Sequence, residues 1–487
     1  MMKQNPLRCI ALLFAFLLLL PLCIGCGDTA TEKTTTVPTA QTEAPDPNAY
    51  VYPDVDYNKE TFTIMGCEDK YEMITNVLAD EQNGVDVNDA QYAMTVFLEE
   101  KLNIDLVEER IGYHSEMDTL TPIVASNDPH YDLVYLQIKN VGSMFTSNYL
   151  MNMYDMPGLQ LDSAWWDQGI REEASILGDQ LYFLVSDVNL MSFDGTWCMY
   201  FNKKMFEDRN IPFPYQTVKD QAWTLDELYT LCHTYATDNG EGSVGVFDPN
   251  GNAIYGMATQ INCMSAFLTG CNELYCKLDA DKRPYFAMAE SATLADANDK
   301  ICRLTSATRD ATFLRTPQGA EISYKDVFVA ERALLMGGEV ADSRKMSEMK
   351  SEYGILPMPK ATTDQENYVS HMLTEALYLA VPTSCGDLER AAVVMDSLSY
   401  YASANILPKY YNSVCYRGLH DTDSVAMLEI IHETRYLNWG LGYGWLDSAV
   451  STVVNMLDSG GTGLASKVTS LKRSVDALIS RTMQAYE

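Results

Sequence analysis

The sequence predicts an α/β protein with a parallel sheet, because strand-like and helix-like segments alternate from the start of its globular body. Thr61-Phe62-Thr63-Ile64-Met65 is a strand candidate that ends at Gly66. Between Asp89 and Glu100, Ala90, Ala93, Met94 and Phe97 fall at helical spacing. Ile104 to Val107 reads as the next strand, and Met117, Leu120, Ile123 and Val124 as a second helical stripe. Asp132-Leu133-Val134-Tyr135-Leu136 is the third strand of this alternation. The chain has 487 residues, 47% of them apolar, which is enough for one large core or two medium ones. Domains of roughly 100–200 residues favour two or more.

Further along, helix starts carry the clearest local signals. Thr224-Leu225-Asp226-Glu227 has the form of a capping box, and Trp223 and Leu228 are placed to form its hydrophobic staple. Leu225, Leu228, Leu231 and Cys232 then share one face. Ser384-Cys385-Gly386-Asp387 precedes a second such helix, with Leu388, Ala391, Met395 and Leu398 at spacings of three and four. Leu377 to Val381 is a short strand candidate.

The net charge is −33, from 67 acids against 34 bases. That balance excludes nucleic acid as the expected partner, since phosphates need Lys and Arg to neutralise them. Its plain consequence is mutual repulsion between copies, and a monomer is expected.

The first 25 residues read as a secretory signal. Lys3 and Arg8 form a positive start, and an uncharged, mostly apolar run from Cys9 to Gly25 contains four consecutive leucines. Leu22-Cys23-Ile24-Gly25-Cys26 resembles a lipobox, with Cys23 where a leucine is usual. Cys26 is therefore the expected lipidation site, and two or more acyl chains on it anchor stably to a membrane. Residues 27–48 are rich in Thr, Ala and Pro and almost free of large apolar side chains, so residues 26–49 read as anchor plus disordered tether. The expected place is the outer face of the cell membrane.

Twelve cysteines are present. Setting aside Cys9, Cys23 and Cys26 leaves nine, an odd number that cannot all pair within one chain. The cluster Cys263, Cys271, Cys276 and Cys302 leaves open one disulfide or buried free thiols, and it has no zinc spacing. The six histidines form neither HExxH nor a close pair, and GxSxG and P-loop motifs are absent. No metal, cofactor or catalytic residue is expected.

Several short motifs follow one another along the body: Tyr131-Asp132-Leu133-Val134, Gly178-Asp179-Gln180-Leu181-Tyr182, Tyr200-Phe201-Asn202-Lys203-Lys204 and Trp223 to Leu228. Val329 to Gly338, ending in Met336-Gly337-Gly338, and Tyr353-Gly354-Ile355-Leu356-Pro357-Met358-Pro359 complete the series. Their order resembles that of the carbohydrate-type solute-binding proteins of ABC importers, and the resemblance covers nearly all of the chain after Tyr50. It implies a type II periplasmic-binding-protein fold, two discontinuous α/β lobes joined by a hinge. Residues 50–190 plus about 371–410 would form lobe 1, and 191–370 plus about 411–487 lobe 2. The chain would cross near Ser186 to Trp197 and return near Ser370 to Thr374. The implied function is capture of a small solute, a sugar or oligosaccharide, by hinge closure, and its delivery to the importer's permease subunits.

Sugars offer hydroxyl rims and apolar faces, so a cleft for them needs carboxylates, amides and aromatic rings. In open α/β sheets ligands sit at the carboxyl ends of strands. That geometry selects Glu68 and Asp69 after the first strand and Gln137 after the third, each equally at home in a solvated loop. Asp194 and Trp197 lie at the expected crossing, as hydroxyl acceptor and stacking ring. Glu339 follows Gly337-Gly338, where the resemblance implies a cleft residue, although Val340 stands where the family often has an aromatic. Trp439, Tyr443 and Trp445 sit in a Gly-rich segment and either stack over the cleft or fill the second lobe's core. Trp165-Trp166 reads as packing and Asn202-Lys203 as a helix start. Two other readings stay open. A secreted carbohydrate-active enzyme would need two carboxylates about 5–10 Å apart across one subsite. A sensor or adhesin subunit of the same fold would share every feature above.

Overall fold

The structure is a computed structural model that describes residues 49–487 except 141, 238–246, 249, 306–310, 417–420 and 487. The signal segment, Cys26 and the tether lie outside the described residues. Tyr50–Glu487 forms one compact unit.

Two sheets organise the unit. The first has the order β10-β3-β1-β2, from β1 (Glu60–Cys67), β2 (Ile104–Ile111), β3 (Leu133–Gln137) and β10 (Leu377–Ala380). β1 is parallel to β2 and β3, as the strand–helix alternation predicts, with helices Asp86–Leu102 and Glu116–Ala125 as crossovers. β10 enters antiparallel against β3, pairing Leu377 with Gln137. Its outer edge is covered, because Leu184 and Leu379 exchange backbone hydrogen bonds of 2.8 and 3.1 Å.

The second sheet has the order β8-β4-β7-β5-β6. Its strands are β4 (Trp197–Asn202), β5 (Tyr255–Gln260), β6 (Phe313–Thr316), β7 (Ala333–Glu339) and β8 (Tyr353–Leu356). β5 is parallel to β6 and β7, while β4 is antiparallel to β7 and β8. Every β4 residue is buried, so the strand is apolar without alternation. Helix Leu225–Tyr235 turns Leu225, Leu228, Leu231 and Cys232 inward, and Thr224 caps it by accepting from the Glu227 N–H at 3.4 Å. Asn202 caps the next turn, accepting from Met205 N–H at 3.0 Å.

Among the described residues three backbone segments lie at the junction of the two lobes, and they are paired with one another. Thr196 bridges Met372, and the Leu373 N–H donates to Gly195 O at 3.0 Å. β9 (Ser370–His371) runs parallel to β11 (Arg435–Tyr436), with the Met372 N–H donating to Tyr436 O at 2.9 Å. Helix Leu388–Tyr401 continues through a π-helical turn into helix Leu407–Tyr416, so the helix runs on through residue 411, where a lobe boundary was expected. Among the described residues no helix is long and apolar enough to cross a membrane.

The cysteines whose side chains are described, including Cys263, Cys271, Cys276 and Cys302, are all free. Of the two readings left open, the structure takes the free thiols. Burial pushes the Cys263 thiol up to about 12, an inert state. Trp165 and Trp166 are packing residues with a polar requirement: both indole N–H groups donate to Asp396 Oδ1, at 2.9 and 3.1 Å. Asp396 itself is 1% exposed. Asp396→Ala leaves two buried donors without a partner, and the expected loss is about 2–4 kcal/mol in urea unfolding. Asp396→Asn keeps an acceptor and is expected to cost less.

Candidate functional site

Two adjoining cavities, of about 410 and 400 Å³, open between the lobes. Their walls come from strand ends. Gln260 ends β5, Thr316 ends β6 and Glu339 ends β7, while the first lobe contributes the loop after β1, Lys139 after β3 and Glu375 before β10. This is the carboxyl side of both sets of parallel strands, where open α/β sheets leave a crevice.

Two glycines let β7 deliver Glu339 there. A Cβ at Gly337 would lie 2.6 Å from Met257 Cε and 2.8 Å from Cys263 Sγ, and one at Gly338 would lie 2.4 Å from Asp342 Oδ2. Beyond them Asp342 gathers three donors: the Glu339 N–H at 3.0 Å, the Tyr324 hydroxyl at 2.8 Å and the Lys325 ammonium at 3.0 Å. Burial and, after it, the adjacent Asp342 carboxylate push Glu339 well above the usual carboxylate range, with Lys325 opposing. Across the cleft Lys139 pairs with Glu375 at 2.5 Å. His371 on the wall of the second cavity is held down to about 4 by burial and is therefore neutral at pH 7. Tyr71 is 48% exposed at the mouth of the first cavity, edge-on to Tyr113 at 5.5 Å. Amides, carboxyls and a partly free ring suit a polar, hydroxyl-bearing molecule.

The expected residues divide sharply. Glu339 lines the first cavity and Trp197 the second, although Trp197 is only 1% exposed and forms wall more than platform. Asp194 sits at the crossing, but its carboxylate is already filled. It accepts from Ile74 N–H at 2.7 Å and from the Tyr410 hydroxyl at 2.5 Å, and it pairs with Arg344 at 2.9 Å. It therefore ties the lobes together and leaves no oxygen for a solute. Glu68 and Asp69 are exposed and line neither cavity; Asp69 is taken by Arg110 at 2.5 Å. Gln137 is fully buried within its sheet. Trp439, Tyr443 and Trp445 pack together instead of facing either cavity. Tyr443 stacks on Trp445 at 4.6 Å, and the Trp445 N–H donates to Thr482 at 2.9 Å. Trp439 borders a separate cavity that it lines together with Glu173, Cys276 and Tyr436.

Sequence reasoning missed Tyr71, Gln260, Asn262, Gln318, Lys325 and Glu375, all on the cavity walls. Tyr71 follows Glu68 and Asp69 in the loop that was singled out, two residues further on. Gln260 ends β5 and Gln318 follows β6; neither short strand was identified, so their carboxyl ends were not either.

The raised Glu339 carboxyl has a measurable consequence. Its contribution to stability is full below the ordinary carboxylate range and is lost as pH rises through the folded value. Glu339→Gln removes that loss. The midpoint of thermal unfolding of the variant minus that of the wild type is expected to grow between pH 4 and pH 8.

No protein-family profile matches the chain, and no curated protein does. Solved structures do. The galacto-N-biose/lacto-N-biose I-binding protein of the ABC transporter from Bifidobacterium longum, in complex with lacto-N-biose, is 12% identical. Its TM-score is 0.56, over 88% of this chain and 98% of that one. A sugar transporter protein from Rhizobium etli, in an open conformation, gives 0.55 at 12% identity, over 87% and 99%. An ABC substrate-binding protein from Listeria monocytogenes in complex with cycloalternan gives 0.52 at 13%, over 88% and 99%. With two α/β lobes, three crossing segments and coverage of this extent, the chain has the type II periplasmic-binding-protein fold.

Proposed function

We propose that the chain is an extracellular solute-binding lipoprotein that captures a carbohydrate between its lobes and passes it to the permease of an ABC importer. The cleft carries this reading: its polar walls come from both lobes and meet beside the crossing segments. A solute that touches both walls gains contacts only when they approach, so it favours the closed arrangement by its differential affinity. Tyr71, Gln260, Asn262, Gln318, Glu339 and Glu375 are its proposed contacts, with Trp197 behind them. Residues 50–190 with the segment from 371 through the long helix would form one lobe, and 191–370 with the C-terminal segment the other. Lacto-N-biose and cycloalternan, bound by proteins of this fold, belong to the ligand class that amides, carboxyls and a ring suit. Cys26 would carry the lipid and residues 27–49 the tether, holding the monomer at the outer membrane face. No covalent step is required.

Thermal unfolding of Tyr50–Glu487 against mono- and oligosaccharides, peptides and polar metabolites tests the proposal. A sugar that binds the native state at a hundred times its Kd is expected to add about 2.7 kcal/mol of stability. The sugar should be recovered chemically unchanged. Stabilisation by peptides alone, or cleavage of the bound sugar, would overturn it.

A further inference from the structure

The chain enters its folded body through a cluster of rings. Tyr50 lies edge-on to Tyr52 and to Trp165, with centroids 5.0 and 5.2 Å apart. Tyr52 is edge-on to Phe97 at 5.1 Å and to Tyr400 at 5.9 Å, and Phe97 meets Tyr401 at 5.4 Å. Phe97 belongs to helix Asp86–Leu102, while Tyr400 and Tyr401 end helix Leu388–Tyr401. The entering segment therefore bridges two helices of the first lobe.

The inner half of this cluster is satisfied and the outer half is not. Trp165 donates to Asp396, and the Tyr50 hydroxyl meets that of Ser397 at 3.2 Å. Phe97, by contrast, is 38% exposed and Val51 84%, and Val96 beside Phe97 is exposed as well. The half-buried Tyr52, Tyr400 and Tyr401 carry hydroxyls with no hydrogen-bond partner in the protein among the described residues. Every exposed large apolar side chain of the described residues lies between Val51 and Val107, and none lies later in the chain. Apolar side chains rimmed by phenol hydroxyls match the boundary between lipid headgroups and acyl chains, where amphipathic rings concentrate.

Position and charge select the occupant. Residues 26–49 join Cys26 to the patch, and a flexible chain of that length spans about 25–30 Å root-mean-square. A lipid on Cys26 keeps the patch near the bilayer at an effective concentration on the order of millimolar, so contacts too weak for a free protein become populated. A second copy is a poorer occupant, because each copy carries a net charge of −33. A zwitterionic lipid surface has no net charge to oppose the approach.

We propose that Val51, Tyr52, Val96, Phe97, Tyr400 and Tyr401 form a membrane-docking patch that rests the body on the zwitterionic surface in which Cys26 is anchored. The proposal rests on the lipoprotein reading above.

Tryptophan fluorescence tests it. All six native tryptophans are at most 5% exposed, so one added at the surface reports its own surroundings. The full chain, extracted from membranes, would be placed on phosphatidylcholine vesicles brominated near the head of the acyl chains. A docked side chain sits about 5–10 Å into the headgroup boundary, and Phe97→Trp is expected to lose about half or more of its added emission there. Thr230→Trp, exposed on helix Leu225–Tyr235 of the second lobe, should lose none. Adding Val51→Glu to Phe97→Trp should restore emission. Unfolding midpoints show which variants are folded, and Val96→Trp serves in place of Phe97→Trp if that one is not. A chain that floats with the vesicles while Phe97→Trp and Thr230→Trp stay equally bright would overturn the docking and leave the lipoprotein reading intact. That holds whether the patch is then open to solvent or covered by a second copy. A chain that does not float with the vesicles would overturn both.

Discussion

The described segments that cross between the lobes are hydrogen-bonded to each other, and the cleft takes its geometry from them. Gly195 and Thr196 lie against Met372 and Leu373, which lie against Tyr436. A bend at one segment is felt by the others, because the Leu373 N–H donates to Gly195 O and the Met372 N–H to Tyr436 O. Where domains close on a ligand, hinges are a few such residues that absorb the change in backbone angles. The flanks of the crossing are stiff as well: β4 begins at Trp197 and is buried throughout, and Arg435 is held to Asp167 at 2.9 Å and His432 to Asp187 at 2.8 Å.

Asp194 shows how specific this joint is. A carboxylate with no exposure is costly unless it is fully compensated. Here the compensation comes from three places: the backbone of Ile74 in the first lobe, the guanidinium of Arg344 in the second, and Tyr410 on the long helical segment. The Arg344 guanidinium also reaches the Glu72 carbonyl, at 3.3 Å. Glu72 lines the first cavity, so the Asp194 network and the wall of that cavity share one loop.

Much of the scaffold was legible because its signals are local. β1 to β3 and the helices between them follow from apolar spacing, and Gly337-Gly338 marks a strand too crowded for side chains. Less of the site was legible. Asp194 and Glu339 look alike as acids near the crossing, yet one is consumed by Arg344 and the other faces the cavity. That difference depends on partners 120 to 216 residues away, which no spacing reports. The cluster of Trp439, Tyr443 and Trp445 has the composition of a sugar platform, but its rings are satisfied by one another and by the C-terminal helix Leu464–Tyr486. Tyr71 was hidden for the opposite reason: nothing in its neighbours announces that a loop residue with a φ of 58° overhangs the cleft.

The discontinuity of the first sheet sets an order on how this chain can assemble. β3 acquires its outer neighbour only when Leu377–Ala380 arrives, after all five strands of the second sheet. At a synthesis rate of about 5–20 residues per second, the edge of β3 stays unpaired for some tens of seconds or less if folding keeps pace with the ribosome. An apolar strand with open backbone groups is a template for mispairing during that interval. A chain kept from folding until Leu377–Ala380 is present avoids the interval, because β3 then meets its outer neighbour as soon as the sheet forms.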